Sequence, residues 1–212
     1  METASSPATL LGAFVLTCFL IELTPGPNMA YLAVLCASKG RRAGLAATAG
    51  IALGLLLVGL GAALGLAALI SSSRTLYQAM RWTGVLYLLW LAFEGWREAT
   101  ETSPTATDGS APDATYFTRG LITNLLNPKA VVFYVAILPT FVDPTRGVLG
   151  QTVLLSVVYV LIATAVHSML VILADAARPL LEDPGSSRLV RRLLSVALAG
   201  IALWFAVSTA PK

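Results

Sequence analysis

The chain has 212 residues, of which 57% are hydrophobic and 12% are charged, and its formal net charge is +3. Soluble domains average about 25% charged residues, so this composition excludes an ordinary soluble protein and predicts an all-α integral membrane protein. Nothing in the charge distribution indicates a nucleic-acid partner. The only charged side chain before Glu22 is Glu2, so the first apolar segment lacks the positive start of a secretory signal and we expect it to be retained.

Six segments are candidates to cross a bilayer, which takes about 20 residues in a helix, within a range of roughly 17–25. They comprise residues 9–38, 43–70, 77–96, 117–142, 147–174 and 193–209. A stretch rich in Thr, Ser, Pro, Ala and Asp separates the third segment from the fourth. The pattern predicts a first three-helix repeat at residues 1–99, a polar linker at 100–116 and a second three-helix repeat at 117–212.

The first segment is interrupted by Thr24-Pro25-Gly26-Pro27-Asn28. Each proline frees the carbonyl four residues earlier, those of Ile21 and Leu23. An unpaired carbonyl costs several kcal/mol in hydrocarbon, so the break must lie against protein or a polar cavity. Pro27 suits the first position of a new helix, and we expect the side chain of Asn28 to serve its first turn.

The second segment, residues 43–70, carries no charge and contains Gly50, Gly54, Gly61 and Gly65. Their spacing places them on one stripe of the helix, where another helix can approach closely. The stripe indicates packing within the molecule or, as the alternative, the seam of a homodimer.

The fourth segment has a similar interruption at Asn127-Pro128-Lys129, and Pro128 frees the carbonyl of Asn124. Superposing the two halves aligns this triplet with Gly26-Pro27-Asn28. Three helices per repeat is an odd number, so the two repeats are expected to be inverted in the membrane. Helices 1 and 4 would then both be broken near the midplane.

The basic residues predict the orientation. By the positive-inside rule, the face with more Lys and Arg is cytoplasmic, and both termini then lie outside. The cytoplasmic face would carry Lys39, Arg41, Arg42, Arg97, Arg119, Arg178, Arg188, Arg191 and Arg192, and the other face Arg74, Arg81, Arg146 and Lys212.

The two breaks predict a binding site for a zwitterion. Helix N-termini that face a shared centre favour a carboxylate, and freed carbonyls favour an ammonium group. Lys129 at this depth would cost about 2.5–3.5 kcal/mol, so it should face a cavity or a partner. Either a substrate carboxylate or Glu22 would serve. Glu22 could also bind a proton or a substrate ammonium group, whereas His167 either couples protons or is an ordinary hydrogen-bonded core histidine.

The candidate substrate-binding residues are therefore those at and beside the breaks: Glu22, Pro25, Gly26, Pro27, Asn28, Asn124, Asn127, Pro128 and Lys129. The candidates for proton coupling are Glu22 and His167. We expect no metal and no cofactor, because Cys18 and Cys36 have no neighbouring ligand motif and suit ordinary packing positions.

These motifs resemble those of a known transporter family. The Thr24–Asn28 stretch, the basic turn Lys39-Gly40-Arg41-Arg42-Ala43-Gly44 and the Asn124–Lys129 stretch together are similar to the signature of the LysE/RhtB family of amino-acid exporters. The resemblance implies six transmembrane helices, a bacterial cytoplasmic membrane, and proton-driven export of amino acids or related small metabolites. Glu22 and His167 depart from the family pattern, so the resemblance implies no role for them.

Three other classes of protein compete with an exporter, of which a purely structural membrane protein has no need of two inverted breaks at matching depth. An ion or small-solute channel would also use broken helices and exposed backbone. An intramembrane enzyme is less favoured, because a single histidine without a nucleophile or metal motif offers no catalytic set.

Overall fold

The fold is that of a computed structural model, which describes residues 7–65, 72–100, 111–177 and 187–208. Within these residues all regular structure is helical, in agreement with the predicted all-α class. The α-helices are α1 Pro7–Leu23, α2 Pro27–Lys39, α3 Arg41–Ala63, α4 Arg74–Thr100, α5 Asp113–Leu125, α6 Pro128–Val132, α7 Val148–Ala177 and α8 Ser187–Ser208. A π-helical turn, Phe133–Ile137, and a 3-10 turn, Leu138–Phe141, extend α6.

Both interruptions occur at the predicted prolines. The chain bends by 57° between α1 and α2 and by 49° between α5 and the segment that begins with α6. Pro27 and Pro128 each occupy the first turn of the helix that follows. There the missing N–H costs nothing, because the first N–H groups of a helix have no intrahelical partner.

The described residues contain two straight helices that are long and apolar enough to cross a membrane, α3 and α7, or up to four spans if each bent pair is one. Helix α4 carries charged residues along its length, and the apolar part of α8 covers only Arg192–Trp204. The arrangement of six spans in two inverted repeats therefore stays a prediction. Residues 66–70 of the second predicted segment and residues 101–110 of the predicted linker lie outside the described residues.

Helix α3 is central, because it packs against both α5 and α7, while α4 packs against α8. The α3–α5 contact is a backbone contact: a Cβ added to Gly50 would lie 1.9 Å from the Phe117 carbonyl oxygen, and one added to Gly120 would lie 2.2 Å from the Ala47 oxygen. Of the predicted glycine stripe, Gly50 and Gly54 pack within the molecule, whereas a Cβ added to Gly65 would meet no atom of another part of the described structure within 4 Å.

The outer surface of the bundle is rich in large apolar side chains, among them Leu86, Phe93, Leu161 and Val207. Such a surface suits a protein whose solvent is lipid. The interior contains aromatic rings from the two halves of the chain, and Phe133 stacks on Tyr159 with ring centres 3.8 Å apart. Cys18 and Cys36 are both buried and unbridged, in keeping with a packing role.

Candidate functional site

The two breaks meet through the side chain of Lys129. Its Nζ donates hydrogen bonds to the carbonyl oxygens of Ile21, at 2.7 Å, and Thr24, at 3.0 Å. The Ile21 carbonyl is the one that Pro25 frees, and it also accepts from the backbone N–H and the hydroxyl of Thr24. An ammonium group from the second half of the chain therefore satisfies the broken backbone of the first.

Glu22 has partners other than the expected lysine. Its carboxylate accepts a 2.5 Å hydrogen bond from the Tyr159 hydroxyl, and its second oxygen lies 3.3 Å from His167 Nε2. The three side chains are buried, with exposed fractions of 4% for Glu22 and 1% each for Tyr159 and His167. The direct Glu22–Lys129 pair considered from the sequence does not form, because Lys129 instead reaches the freed carbonyls at the break.

The expected roles of the asparagines also need a correction. Asn28 does not cap α2: the N-cap residue is Gly26, and no side chain caps the helix. Pro27 at the first helical position places Asn28 inside the helix, where its Nδ2 donates a buried 2.8 Å hydrogen bond across to Asn124 Oδ1. The capping role belongs to Asn127 at the second break, whose side chain accepts from the Lys129 backbone N–H at 3.0 Å.

These groups enclose a central cavity of only about 10 Å³. Six of the predicted site residues line it: Glu22, Gly26, Asn28, Asn127, Lys129 and His167. About 10–15 Å³ is the least that holds one water molecule, so no amino acid fits in this conformation. Asn28 Oδ1 and His167 Nδ1 are buried without a hydrogen-bond partner among the described residues, which leaves polar atoms unpaired at this centre.

The other predicted site residues do not line the central cavity. Pro27, Pro128 and Asn124 are buried, and Asn124 holds Asn28 in place, whereas Pro25 is exposed at the break. Among the described residues, no group of three or more His, Cys, Asp or Glu could hold a metal ion.

Sequence reasoning missed Tyr159, which also lines the central cavity. A signal was available, because Tyr159 lies eight residues before His167 and that spacing brings both residues to one face of α7. It also missed the pairing of Glu94 with Arg119, whose charged atoms lie 2.7 Å apart.

The chain is similar to known translocators over most of its length. The family model described as "LysE type translocator" matches residues 19–209. A membrane protein of Vibrio cholerae that carries no functional name is 29% identical over 93% of this chain and 97% of its own length. The homoserine/homoserine lactone efflux protein of Salmonella typhimurium is 30% identical over 81% of this chain and 84% of its own. The leucine efflux protein of an Enterobacter species is 32% identical over 67% of this chain and 68% of its own length. No solved structure matches.

Proposed function

Because the chain belongs to the LysE family of translocators, we propose that it exports amino acids or closely related small metabolites in exchange for protons. Two relatives are named for efflux of homoserine or its lactone and of leucine, which are small molecules that carry an amino group. The proposed substrate class for this chain is therefore a small α-amino acid or a derivative of one.

The observation that carries the proposal is the position of the Lys129 ammonium group on the Ile21 and Thr24 carbonyl oxygens. The amino group of an amino acid has the same charge and the same donors. We propose that the substrate amino group replaces Lys129 on these oxygens. The displaced Lys129 then pairs with the substrate carboxylate, so that both substrate charges are matched without a new buried charge.

The small central cavity supports a mechanism of alternating access. A cavity of about 10 Å³ excludes the substrate, so the helices around the two breaks must separate on one side of the membrane before it binds. Two inverted three-helix repeats, residues 1–99 and 117–212, would rock against each other around the breaks. In this proposal both termini are outside, and the end of the bundle that carries Lys39, Arg41, Arg42 and Arg119, here called the basic side, faces the cytoplasm.

Proton coupling is assigned to the buried group formed by Glu22, Tyr159 and His167. An intramembrane carboxylate beside an imidazole is a typical proton carrier, because either group changes its charge when a proton arrives. Glu22 lies next to Ile21, whose carbonyl would bind the substrate amine. A proton on the Glu22–His167 pair would therefore weaken binding of the positively charged amine and promote its release.

The test measures efflux from proteoliposomes that are loaded with homoserine and leucine, under an imposed pH gradient. We expect saturable efflux that the gradient accelerates, a loss of at least tenfold in Lys129→Ala, and in Glu22→Gln a residual exchange that no longer responds to the gradient. Arg42→Ala is the control, because that side chain is 87% exposed and does not line the central cavity. If a well-folded wild type moves neither compound, nor any other amino acid, the proposal is wrong.

A further inference from the structure

A second cavity lies at the basic side of the bundle and shares no lining residue with the central one. Its volume is about 190 Å³, far above the ~10–15 Å³ that a single water molecule needs, and suits a small amino acid. Helices α2, α4, α5 and α8 enclose it. Its polar lining includes Tyr31, Ser38, Lys39, Glu94, Tyr116 and Arg119.

The cavity is built around the Glu94–Arg119 ion pair. Arg119 Nη2 donates to Glu94 Oε1 at 2.7 Å, and both side chains are only 22–23% exposed. The guanidinium carbon lies 5.5 Å from the centre of the Trp90 ring, a cation–π contact that holds the arginine in place. The pair joins α4 to α5 and presents one negative and one positive group to the same space.

Two buried polar atoms of the residues that line this cavity have no hydrogen-bond partner among the described residues. They are Glu94 Oε2 and the hydroxyl of Tyr31, a residue that is only 3% exposed. Leaving such atoms unpaired is costly, so their position at a cavity points to a ligand that pairs them. Arg119 adds further capacity, because a guanidinium has five N–H donors.

We propose that this cavity is the entry site of the exporter and binds a zwitterionic amino acid before it reaches the breaks. The ligand ammonium donates to Glu94 Oε2, and its carboxylate accepts from Arg119 and from the Tyr31 hydroxyl. Arginine is suited to this task, since its planar fork matches a carboxylate. The ligand side chain packs on the apolar lining residues Leu91 and Leu198.

The position of Tyr31 supports an entry role. It lies three residues after Asn28 in α2, so a single turn of that helix separates the lining of the entry cavity from the lining of the central cavity. The inference rests on the proposed export function, because it assigns to the same substrate a first site on the cytoplasmic side of the same path.

The test is calorimetric binding to the purified full-length protein with three probes: leucine, leucinamide, which lacks the carboxylate, and N-acetylleucine, which lacks the ammonium group. We expect the wild type to bind leucinamide at least tenfold more weakly than leucine. In Arg119→Gln this difference should shrink to less than twofold, because the partner of the carboxylate is gone. In Glu94→Gln the difference between leucine and N-acetylleucine should shrink in the same way.

Two variants distinguish a loss of binding at the entry site from misfolding and from a loss of binding at the central site. Tyr31→Phe removes only an unpaired hydroxyl, and we expect it to weaken leucine binding three- to tenfold without affecting leucinamide. Lys129→Ala should keep the full difference between leucine and leucinamide. The exposed pair Arg42–Asp113 provides the matched control, because Arg42→Gln breaks an ion pair to the same helix without touching the cavity.

If Arg119→Gln and Tyr31→Phe weaken all three probes equally or not at all, the entry site is wrong. If the two variants give that result and the wild type still exports leucine, only the entry-site proposal is wrong and the proposed export function stands. If the wild type neither binds nor moves any amino acid, both fail together.

Discussion

The two helix breaks look alike in sequence but are held in different ways. At the first break Leu23, Thr24 and Pro25 are exposed, and the N-cap residue Gly26 offers no side chain to the helix that follows. One of its freed carbonyls, that of Ile21, accepts locally from Thr24 and also from Lys129, a residue 108 positions away in the other half of the chain.

The second break is held by its own residues and by close neighbours. Asn127 caps the helix that follows it. Two glycines on other helices allow a close approach: a Cβ added to Gly84 would lie 2.5 Å from the Leu126 carbonyl oxygen, and one added to Gly54 would lie 2.9 Å from Asn124. A proline interruption therefore does not set its own rigidity, because the contacts with neighbouring helices determine how firmly it is held.

The largest effect is expected at the glycine that presses on the second break. Gly84→Ala should lower the free energy of unfolding by about 1–3 kcal/mol, because the new Cβ meets a backbone oxygen that has little room to move. Gly26→Ala at the first break should change it by less than about 0.5 kcal/mol, since its nearest contact would be the flexible Lys129 side chain at 3.5 Å.

Thermal unfolding in detergent measures both variants. Gly12→Ala is the control, because the added Cβ would meet nothing within 4 Å outside its own helix turn, and alanine favours a helix. If the Gly84→Ala variant is as stable as the Gly12→Ala variant, the two breaks do not differ in the way proposed.

The cap at the second break should have a moderate effect. Asn127→Ala removes the acceptor of the Lys129 N–H and should cost about 1 kcal/mol, within a range of roughly 0.5–2. Asn127→Ser keeps an oxygen in the capping position and should cost less than half as much. Equal losses in the two variants, measured by chemical unfolding, would show that the amide acts through packing instead of capping.

The smallest effect is expected when the first break is made to resemble the second. Gly26 has φ −162° and ψ 176°, an extended conformation that any residue adopts, so Gly26→Ser introduces no backbone strain. The new hydroxyl can cap α2 and should raise the free energy of unfolding by a few tenths of a kcal/mol. A loss of more than about 1 kcal/mol in the same unfolding experiment would mean that this position needs glycine.

The sequence predicted the features that follow from local chemistry. The two prolines located both breaks, and the rule that proline frees a carbonyl identified Ile21 O as a group in need of a donor. The choice of donor could not be predicted, because Lys129 reaches that oxygen only when the two halves pack together. Asn28 was assigned a local capping role for the same reason, since its true partner, Asn124, lies 96 positions away.

The partners of Glu22 show a second limit. Glu22 and His167 were noticed because charged and titratable side chains are rare in apolar segments. Tyr159 was not, because a tyrosine in such a segment suits an ordinary core position, and its spacing to His167 does not by itself reveal the contact with Glu22. The Glu94–Arg119 cavity was missed because neither residue lies at a break.

The narrow central cavity has an electrical consequence. A space of about 10 Å³ holds one water molecule at most, so an ion at this point would lose most of its hydration shell. The polar centre therefore offers no hydrated path to an ion such as Na⁺ in this conformation. Such an ion could pass the centre only after the helices rearrange.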